Sequence, residues 1–267
     1  MPCVALPDRG VLEVAGEDRV SFLQGLVTQD VTLAAPGRAV FAALLTPQGR
    51  WLADFLIFAE DERFLLDVAR SALGDLLTRL SRYRLRARVR FAELTASYHV
   101  YAVWGEDGPL IPAGACVAPD PRHPELGLRI LSPEPLAVTA PFEVWDAHRL
   151  ALGIPEGVAD LEAGETLLLE ARYDELGAIS WDKGCYLGQE ITARTRYRGL
   201  VKRRLVPVRL SGEGPLPPRG TPVVDATGRE IGTLRSSAAG HGLALLRHPP
   251  EFAPPLRAGA WEISLTR

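Results

Sequence analysis

The chain has 267 residues, of which 47% are hydrophobic and 24% are charged, as in ordinary globular proteins. Its formal net charge of −3 argues against a surface built as a whole to bind nucleic acid, although a local basic patch is compatible with it. No apolar run reaches the roughly 18 residues of a membrane-spanning helix, and the N-terminus has no signal-peptide or transit-peptide pattern. We therefore predict a cytoplasmic protein with no membrane partner.

The first part of the chain alternates predicted strands and helices. Residues 1–15 hold short β-like segments, and a helix opens at Gly16 with apolar residues at helical spacing. Three apolar runs separated by turn residues predict antiparallel strands: 39–45, 51–58 and 64–68. Ser71 is predicted to cap the next helix, which has a buried face of four leucines: Leu73, Leu76, Leu77 and Leu80.

Residues 82–91 alternate strictly between arginine and apolar or aromatic residues. A period of two predicts a strand with all five arginines on one face, unless its first residues still belong to the preceding helix: Arg82, Arg84, Arg86, Arg88 and Arg90. Two interpretations stay open for this Arg82–Arg90 strip. It is either a solvated outer face or protected sheet edge, or an anion-binding strip for RNA, a polyglutamate tail or an acidic partner.

The second part of the chain is richer in Pro and Gly. Residues 97–104 predict a strand, 105–141 a loop region with short strands near Cys116 and at 126–131, and 142–152 a helix that ends at Gly153. After residue 204 the pattern predicts a strand at 205–210, a loop at 211–220 and short strands of a small β-barrel in 221–267.

The chain has three cysteines, Cys3, Cys116 and Cys185, without a CxxC spacing, so the sequence predicts neither a disulfide framework nor a metal site built by this chain alone. Lysine occurs only at positions 183 and 202, against 28 arginines. Because both lysines lie within twenty residues of each other, around Cys185, the grouping indicates that an ammonium group is needed there.

The segment 183–190 reads Lys-Gly-Cys-Tyr-Leu-Gly-Gln-Glu and precedes a predicted helix at 191–198. Cys185 would lie just before the helix N-terminus and two residues from Lys183, and both features favour the reactive thiolate. The alternative is a small buried cysteine, the usual environment of a free cysteine. Glu190 and Arg194 have the spacing of an ion pair on one helix face.

This segment resembles the KGCYxGQE signature of the YgfZ family, folate-binding relatives of the glycine cleavage T protein (aminomethyltransferase) that support iron–sulfur enzymes. The resemblance extends through further segments and so spans most of the chain: 19–25, 28–30, 46–50, 149–155, 193–194 and 198–205. It implies an α+β fold, in which a T-protein-like folate-binding body with antiparallel and ferredoxin-like subdomains is followed by a small C-terminal β-barrel. The implied division is 1–50 plus about 135–204 for the antiparallel α+β subdomain, 51–134 for the ferredoxin-like subdomain and 205–267 for the barrel.

The resemblance also implies a folate site. Glu170 corresponds to the T protein's pterin-contacting glutamate, and a carboxylate can accept two parallel N–H bonds from that ring. Trp51 and Trp181 are candidate aromatic walls of the site, or else core residues. Asp54 stands where the T protein has paired aspartates, but Ala53 replaces the other one, which puts aminomethyl transfer in doubt.

By this resemblance we predict a tetrahydrofolate-binding accessory protein that supports assembly or repair of iron–sulfur enzymes, including those that modify tRNA. Cys185 would be its reactive thiol, aided by Lys183, and its partners would be folate and iron–sulfur client or assembly proteins. Other motif residues are expected to shape the site: Gly184, Tyr186, Gly188, Gln189, Glu190 and Arg194. The alternatives are a folate-dependent aminomethyl or methyl transferase, and a scaffold that holds RNA or a partner at the Arg82–Arg90 strip.

Overall fold

The computed structural model describes residues 1–106, 109–248, 250 and 252–266. Its strands form a five-stranded sheet, a four-stranded sheet and a closed barrel. In chain order the elements are β1 (Cys3–Ala5), β2 (Arg9–Ala15), α1 (Arg19–Gln24), β3 (Val40–Leu45), β4 (Trp51–Ala59), β5 (Arg63–Ala69), α2 (Arg70–Arg84), β6 (Arg90–Glu93), β7 (His99–Val103), β8 (Cys116–Pro119), β9 (Leu128–Ser132), α3 (Phe142–Ala151), α4 (Gly157–Asp160), α5 (Gln189–Tyr197), β10 (Arg203–Ser211), β11 (Pro222–Val224), β12 (Glu230–Ala238), β13 (His241–Arg247), β14 (Leu256–Ala258) and β15 (Trp261–Leu265).

The five-stranded sheet is antiparallel and has the strand order β3-β4-β5-β2-β6. Strands β3 and β4 are apolar along almost their whole length because both of their faces are covered. Alternate residues enter two different cores, so that Phe55 packs with α1 and α2 on one face while Leu56 faces the rest of the chain on the other. The three strands expected at 39–68 are therefore confirmed.

Helix α2 buries Leu73, Leu76 and Leu80, as its spacing predicts. The prediction that Ser71 caps this helix is wrong. Strand β5 runs directly into α2, which places Ala69 at the cap position, and no side chain caps the helix. With no connecting loop between strand and helix, Ser71 already lies in the first turn.

The strand predicted for the Arg82–Arg90 strip is also wrong. Helix α2 continues to Arg84, the chain turns at Leu85, and Arg90 alone of the five arginines belongs to a strand, β6. Arginine is a good helix former and a single tyrosine costs little, so the Arg-Tyr-Arg sequence at 82–84 does not stop a helix that already has a buried face. The five arginines do not share one face of one strand.

The four-stranded sheet is antiparallel, in the order β1-β7-β9-β8, and α3 packs against the large core that this sheet shares with the five-stranded sheet. The remaining strands close a barrel in the order β10-β13-β12-β11-β14-β15, which confirms the predicted C-terminal β-barrel. The α+β fold is confirmed as well.

The division of the chain into subdomains stays a prediction. Strands β3 and β4 pair across residue 50, where the first predicted boundary lies, and β2 pairs with both β5 and β6. We propose that the five-stranded sheet with α1 and α2 forms one unit.

Candidate functional site

The cysteine motif, residues 183–190, is anchored on the chain that follows α1. The backbone N–H of Leu187 donates to the carbonyl of Gly25 at 3.2 Å. The ammonium of Lys183 donates to the carbonyl oxygens of Val27 at 2.8 Å and Gln29 at 2.9 Å. An ammonium satisfies two such separate acceptors as a compact donor, whereas the wider guanidinium fork of arginine does not have this shape. The structure thus gives a physical reason for the lysine at position 183.

The Lys183 side chain is buried, and its surroundings act on its charge. Burial lowers the pKa of Lys183 to about 8, an effect that the carboxylate of Asp30 partly opposes. Its ammonium also lies 5.4 Å from the ring centroid of Tyr186, which is buried in the large core. Burial raises the pKa of Tyr186 to about 12.

Cys185 is exposed, in contrast to Cys3, which is buried, and Cys116, which is half-buried. It lies three residues before Gly188, which adopts φ +82° at the N-cap of α5. The predicted helix after the motif is confirmed, and Gly199 follows it with φ +59°. Within the described residues no hydrogen bond joins Cys185 to Lys183, whose ammonium is engaged with backbone carbonyls. The assistance of Lys183 to the thiol stays a prediction.

Helix α5 and the residues that follow it carry exposed cations, namely Arg194, Arg196, Arg198 and Lys202. The guanidinium of Arg196 lies 4.0 Å from the ring centroid of Trp181, which is half-buried against the large core. Glu190 is exposed, and in the described parts of the chain it forms no ion pair with Arg194. The expected helix pair is therefore absent from this surface.

Glu170 lies in the segment between α4 and the motif and is only 4% exposed. Its carboxylate accepts long contacts, at 3.4 Å, from the backbone N–H of Leu167 and from the Arg203 guanidinium. Contacts of this length are beyond ordinary hydrogen-bond distances. Glu170 therefore keeps acceptor capacity that the protein does not use fully.

Trp51 and Asp54 lie inside the core, where they are 1% and 5% exposed. The hydroxyl of Tyr173 donates to the Asp54 carboxylate. Burial raises the pKa of Asp54, and the guanidinium of Arg9 opposes this shift. Gly157 of α4 covers the pair, because a Cβ at that position would lie 2.7 Å from Asp54 Oδ1 and 3.1 Å from the Trp51 ring.

The β3–β4 turn, residues 46–50, connects the two groups of predicted site residues. On one side, the backbone N–H of Trp51 donates to Thr166 at 2.9 Å, and Arg50 forms a β-bridge with Leu167. On the other side, Gly49 packs against Gly188 of the cysteine motif. The structure therefore brings the Glu170 segment and the cysteine motif to the same turn.

Several residues of this region were missed by the sequence analysis: Tyr173, Gly157, Arg203, Arg9 and Arg122. Arg9 bonds Asp67 at 2.6 Å and Glu156 at 2.8 Å, and Arg122 bonds Asp120 at 2.7 Å, in an ion-pair network next to Asp54. Single arginines in a chain with 28 of them give no local signal of such pairing.

In the described part of the chain, no group of three or more His, Cys, Asp or Glu side chains could hold a metal ion. Within the same residues, no helix is both long and apolar enough to cross a membrane.

Residues 8–110 match the GCVT N-terminal domain, and residues 202–267 match the CAF17 C-terminal beta-barrel domain. The chain is 35% identical over 283 residues to the iron-sulfur cluster assembly factor IBA57, mitochondrial, of Mus musculus, a match that covers 92% of this chain and 77% of the mouse protein. The Homo sapiens protein of the same name is 35% identical over 276 residues, which cover 91% of this chain and 77% of the human one. The chain belongs to the IBA57 family.

The solved structure of glycine cleavage system aminomethyltransferase T from Bartonella henselae superimposes with a TM-score of 0.72. The match covers 92% of this chain and 78% of that structure at 15% identity, which shows a shared fold. The T-protein-like domains expected from the sequence are thus confirmed, and the family is IBA57 rather than YgfZ itself.

The predicted cytoplasmic location is wrong, because both IBA57 relatives carry names that place them in the mitochondrion. The prediction was based on the lack of a recognisable targeting pattern, which is weaker evidence for a location than the names of relatives in the same family.

Proposed function

We propose that this chain is an iron–sulfur cluster assembly factor and that the exposed thiol of Cys185 is its working group. The carrying observation is that a chain 35% identical to named assembly factors presents this cysteine at its surface. A thiolate is the usual protein ligand of iron–sulfur clusters. In binding iron, the Cys185 thiol loses its proton to solvent and its sulfur donates an electron pair to the metal, which is cargo here and not a resident cofactor.

The other two cysteines are poorly suited to this role. Burial raises the pKa of Cys3. Burial and a hydrogen bond to the Glu60 carboxylate raise the pKa of Cys116 to about 12. Both effects favour the unreactive thiol form, so that Cys185 is the cysteine best placed to meet a partner.

The exposed cations of α5, the helix that follows the cysteine motif, support a cluster-handling surface. A cluster ligated by thiolates brings negative charge, and the exposed guanidinium groups of Arg194 and Arg198 would offset it. Tyr197 and Leu200 are exposed on the same stretch, and aromatic and arginine side chains together are typical of protein interfaces. Because the described residues hold no set of three ligands, the other ligands of a cluster would come from a client or assembly protein.

A second candidate function is the binding of tetrahydrofolate or a derivative, which the loosely bonded carboxylate of Glu170 favours. Glu170 suits a pterin, since its oxygens have unused acceptor capacity and Arg203 beside it is exposed. Trp51 and Asp54 do not suit it, since Gly157 and Tyr173 enclose them in the core. The residues present therefore fit folate only in part. A calorimetric titration with tetrahydrofolate should show binding that Glu170→Ala weakens by about 1.5–3 kcal/mol, and unchanged affinity would remove Glu170 from the site.

The transferase alternative is not favoured. Aminomethyl transfer needs a carboxyl group placed to handle a proton, whereas Asp54 is the single carboxylate at that position and is bound by Tyr173. The RNA-scaffold alternative is not favoured either, because the strand face on which it placed the five arginines of the Arg82–Arg90 strip does not exist.

Restoration of iron–sulfur enzymes tests the main proposal. In cells that lack this protein, expression of the full chain should restore the activity of iron–sulfur enzymes, those that modify tRNA among them, and leave enzymes without clusters unchanged. Full cluster-enzyme activity without the protein would contradict the proposal.

A further inference from the structure

The loop at the end of α2, residues 82–90, carries an unusual concentration of charge. Six of the 28 arginines of the chain lie within residues 79–90, and no Asp or Glu occurs from residue 76 to 92. We call residues 82–90 the arginine loop. A general preference for arginine over lysine does not explain such clustering in a chain with a net charge of −3.

Leu85 forms the apex of the arginine loop. It is 88% exposed, and its backbone adopts φ 44° and ψ −108°, a conformation that glycine accepts and that is unfavourable for leucine. The side chain therefore contributes no packing at a position where its backbone is strained. Strain of this kind clusters at functional sites, and it indicates that Leu85 serves a contact outside the chain.

Core packing and backbone contacts of residues 87–89 hold the arginine loop in place. Val89 is buried and Ala87 packs against the helix-side core of the five-stranded sheet. The backbone N–H of Arg88 donates to Asp18 at 2.8 Å, and Gly16 lets the Arg88 carbonyl approach so closely that a Cβ could not be accommodated. The exposed side chains of the loop are thus presented by a fixed backbone.

Four guanidinium groups line a concavity of about 470 Å³ beside the apex: Arg84, Arg86, Arg88 and Arg90. Among the described residues Arg88 alone of the four has ion-pair partners, Glu17 at 2.6 Å and Asp18 at 3.6 Å, and the pair with Glu17 is exposed. Arg84, Arg86 and Arg90 have none. The concavity therefore carries a net positive charge, since four guanidinium groups and the single carboxylate of Glu17 line it.

We propose that the arginine loop docks on an anionic phospholipid surface, with its guanidinium groups on lipid phosphates and Leu85 in the interfacial layer. Guanidinium forks match phosphate oxygens in geometry. Cationic side chains around an exposed apolar residue are the usual composition of interfacial membrane contacts, and the half-exposed Tyr83 suits the same layer. A nucleic-acid backbone would use the arginines but leaves the strained leucine unexplained. The lack of a membrane-spanning helix among the described residues concerns only the crossing of a bilayer. The proposed docking on a bilayer surface therefore replaces the expectation that the protein has no membrane partner.

Vesicle flotation with the full chain tests this proposal. The protein should float with vesicles of phosphatidylcholine mixed with phosphatidylglycerol, should not float with phosphatidylcholine alone, and should be released as salt rises. The double variant Arg86→Glu/Arg90→Glu should bind at least about tenfold more weakly. Leu85→Gly separates function from folding, because it should keep or raise thermal stability while lowering vesicle binding.

Two matched controls lie elsewhere on the surface. Leu110→Gly removes a leucine that is 94% exposed, and Arg257→Glu reverses an exposed arginine of the barrel. Both should bind vesicles as the unmodified chain does. The proposal is overturned if the unmodified chain ignores anionic vesicles, if the controls lose as much binding as the loop variants, or if a single-stranded RNA oligonucleotide binds the loop while vesicles do not.

Discussion

Gly49 and Gly188 are in direct backbone contact: a Cβ built on Gly188 would lie 3.0 Å from the Cα of Gly49 and 2.6 Å from the carbonyl oxygen of Thr46. Both glycines adopt positive φ, +70° and +82°. The contact joins the β3–β4 turn to the cysteine motif, two segments whose glycines are 139 positions apart in the chain. It explains why glycine is required at both positions, since no other residue allows this approach.

Gly188→Ala should therefore lower the free energy of unfolding by about 2 kcal/mol or more, because it combines a left-handed backbone with a clash against Thr46. Urea unfolding measures the change. Gly228→Ala is the matched control, since Gly228 has φ +80° with nothing within 4 Å of a built Cβ. Equal losses in the two variants would show that the contact with Gly49 contributes nothing.

Lys183→Met should show how the buried ammonium depends on pH. The folded-state pKa of Lys183 is lowered to about 8 from 10.5, so the unfolded chain binds more protons between these values. Stability of the unmodified chain relative to Lys183→Met should therefore rise as pH increases from 8 to 10.5 and be constant below pH 7. A difference that falls with rising pH would contradict this assignment.

Tyr173→Phe should destabilise the fold by about 1–3 kcal/mol at neutral pH, because it leaves the buried Asp54 carboxylate without its hydroxyl donor. The folded-state pKa of Asp54 is raised, so acid protonates this residue first in the folded chain. The loss should consequently shrink as pH falls. Tyr197→Phe changes an exposed tyrosine and should leave stability unchanged at either pH; a similar effect in both variants would rule out a specific role for the Tyr173–Asp54 bond.

Much of the fold could be predicted because its signals are local. The apolar runs of β3 to β5, the leucine spacing of α2 and the turn residues between the barrel strands each reflect a period or a breaker. The arginine loop could not be predicted from the sequence, because the alternation of residues 82–91 fits a strand whereas the composition of the same residues fits a helix. The buried leucines of α2 favour the helix, which therefore continues to Arg84.

The candidate site was predictable only in part. The motif around Cys185 and the segment around Glu170 were identified from their residues, but their meeting at the β3–β4 turn depends on contacts far apart in sequence. The enclosure of Asp54 by Tyr173 and Gly157 also depends on contacts between residues far apart in sequence. The sequence around Tyr173 and Gly157 contains no pattern that predicts these contacts.

We propose the exposed thiol of Cys185 as the working group of this chain in iron–sulfur cluster assembly. The most direct test of this proposal is the activity of iron–sulfur enzymes in cells that lack the protein and express Cys185→Ser, with Cys116→Ser as the matched control and with protein levels and melting temperatures compared. We predict that Cys185→Ser folds normally and fails to restore these enzymes, while Cys116→Ser restores them. Full restoration by Cys185→Ser would contradict the account.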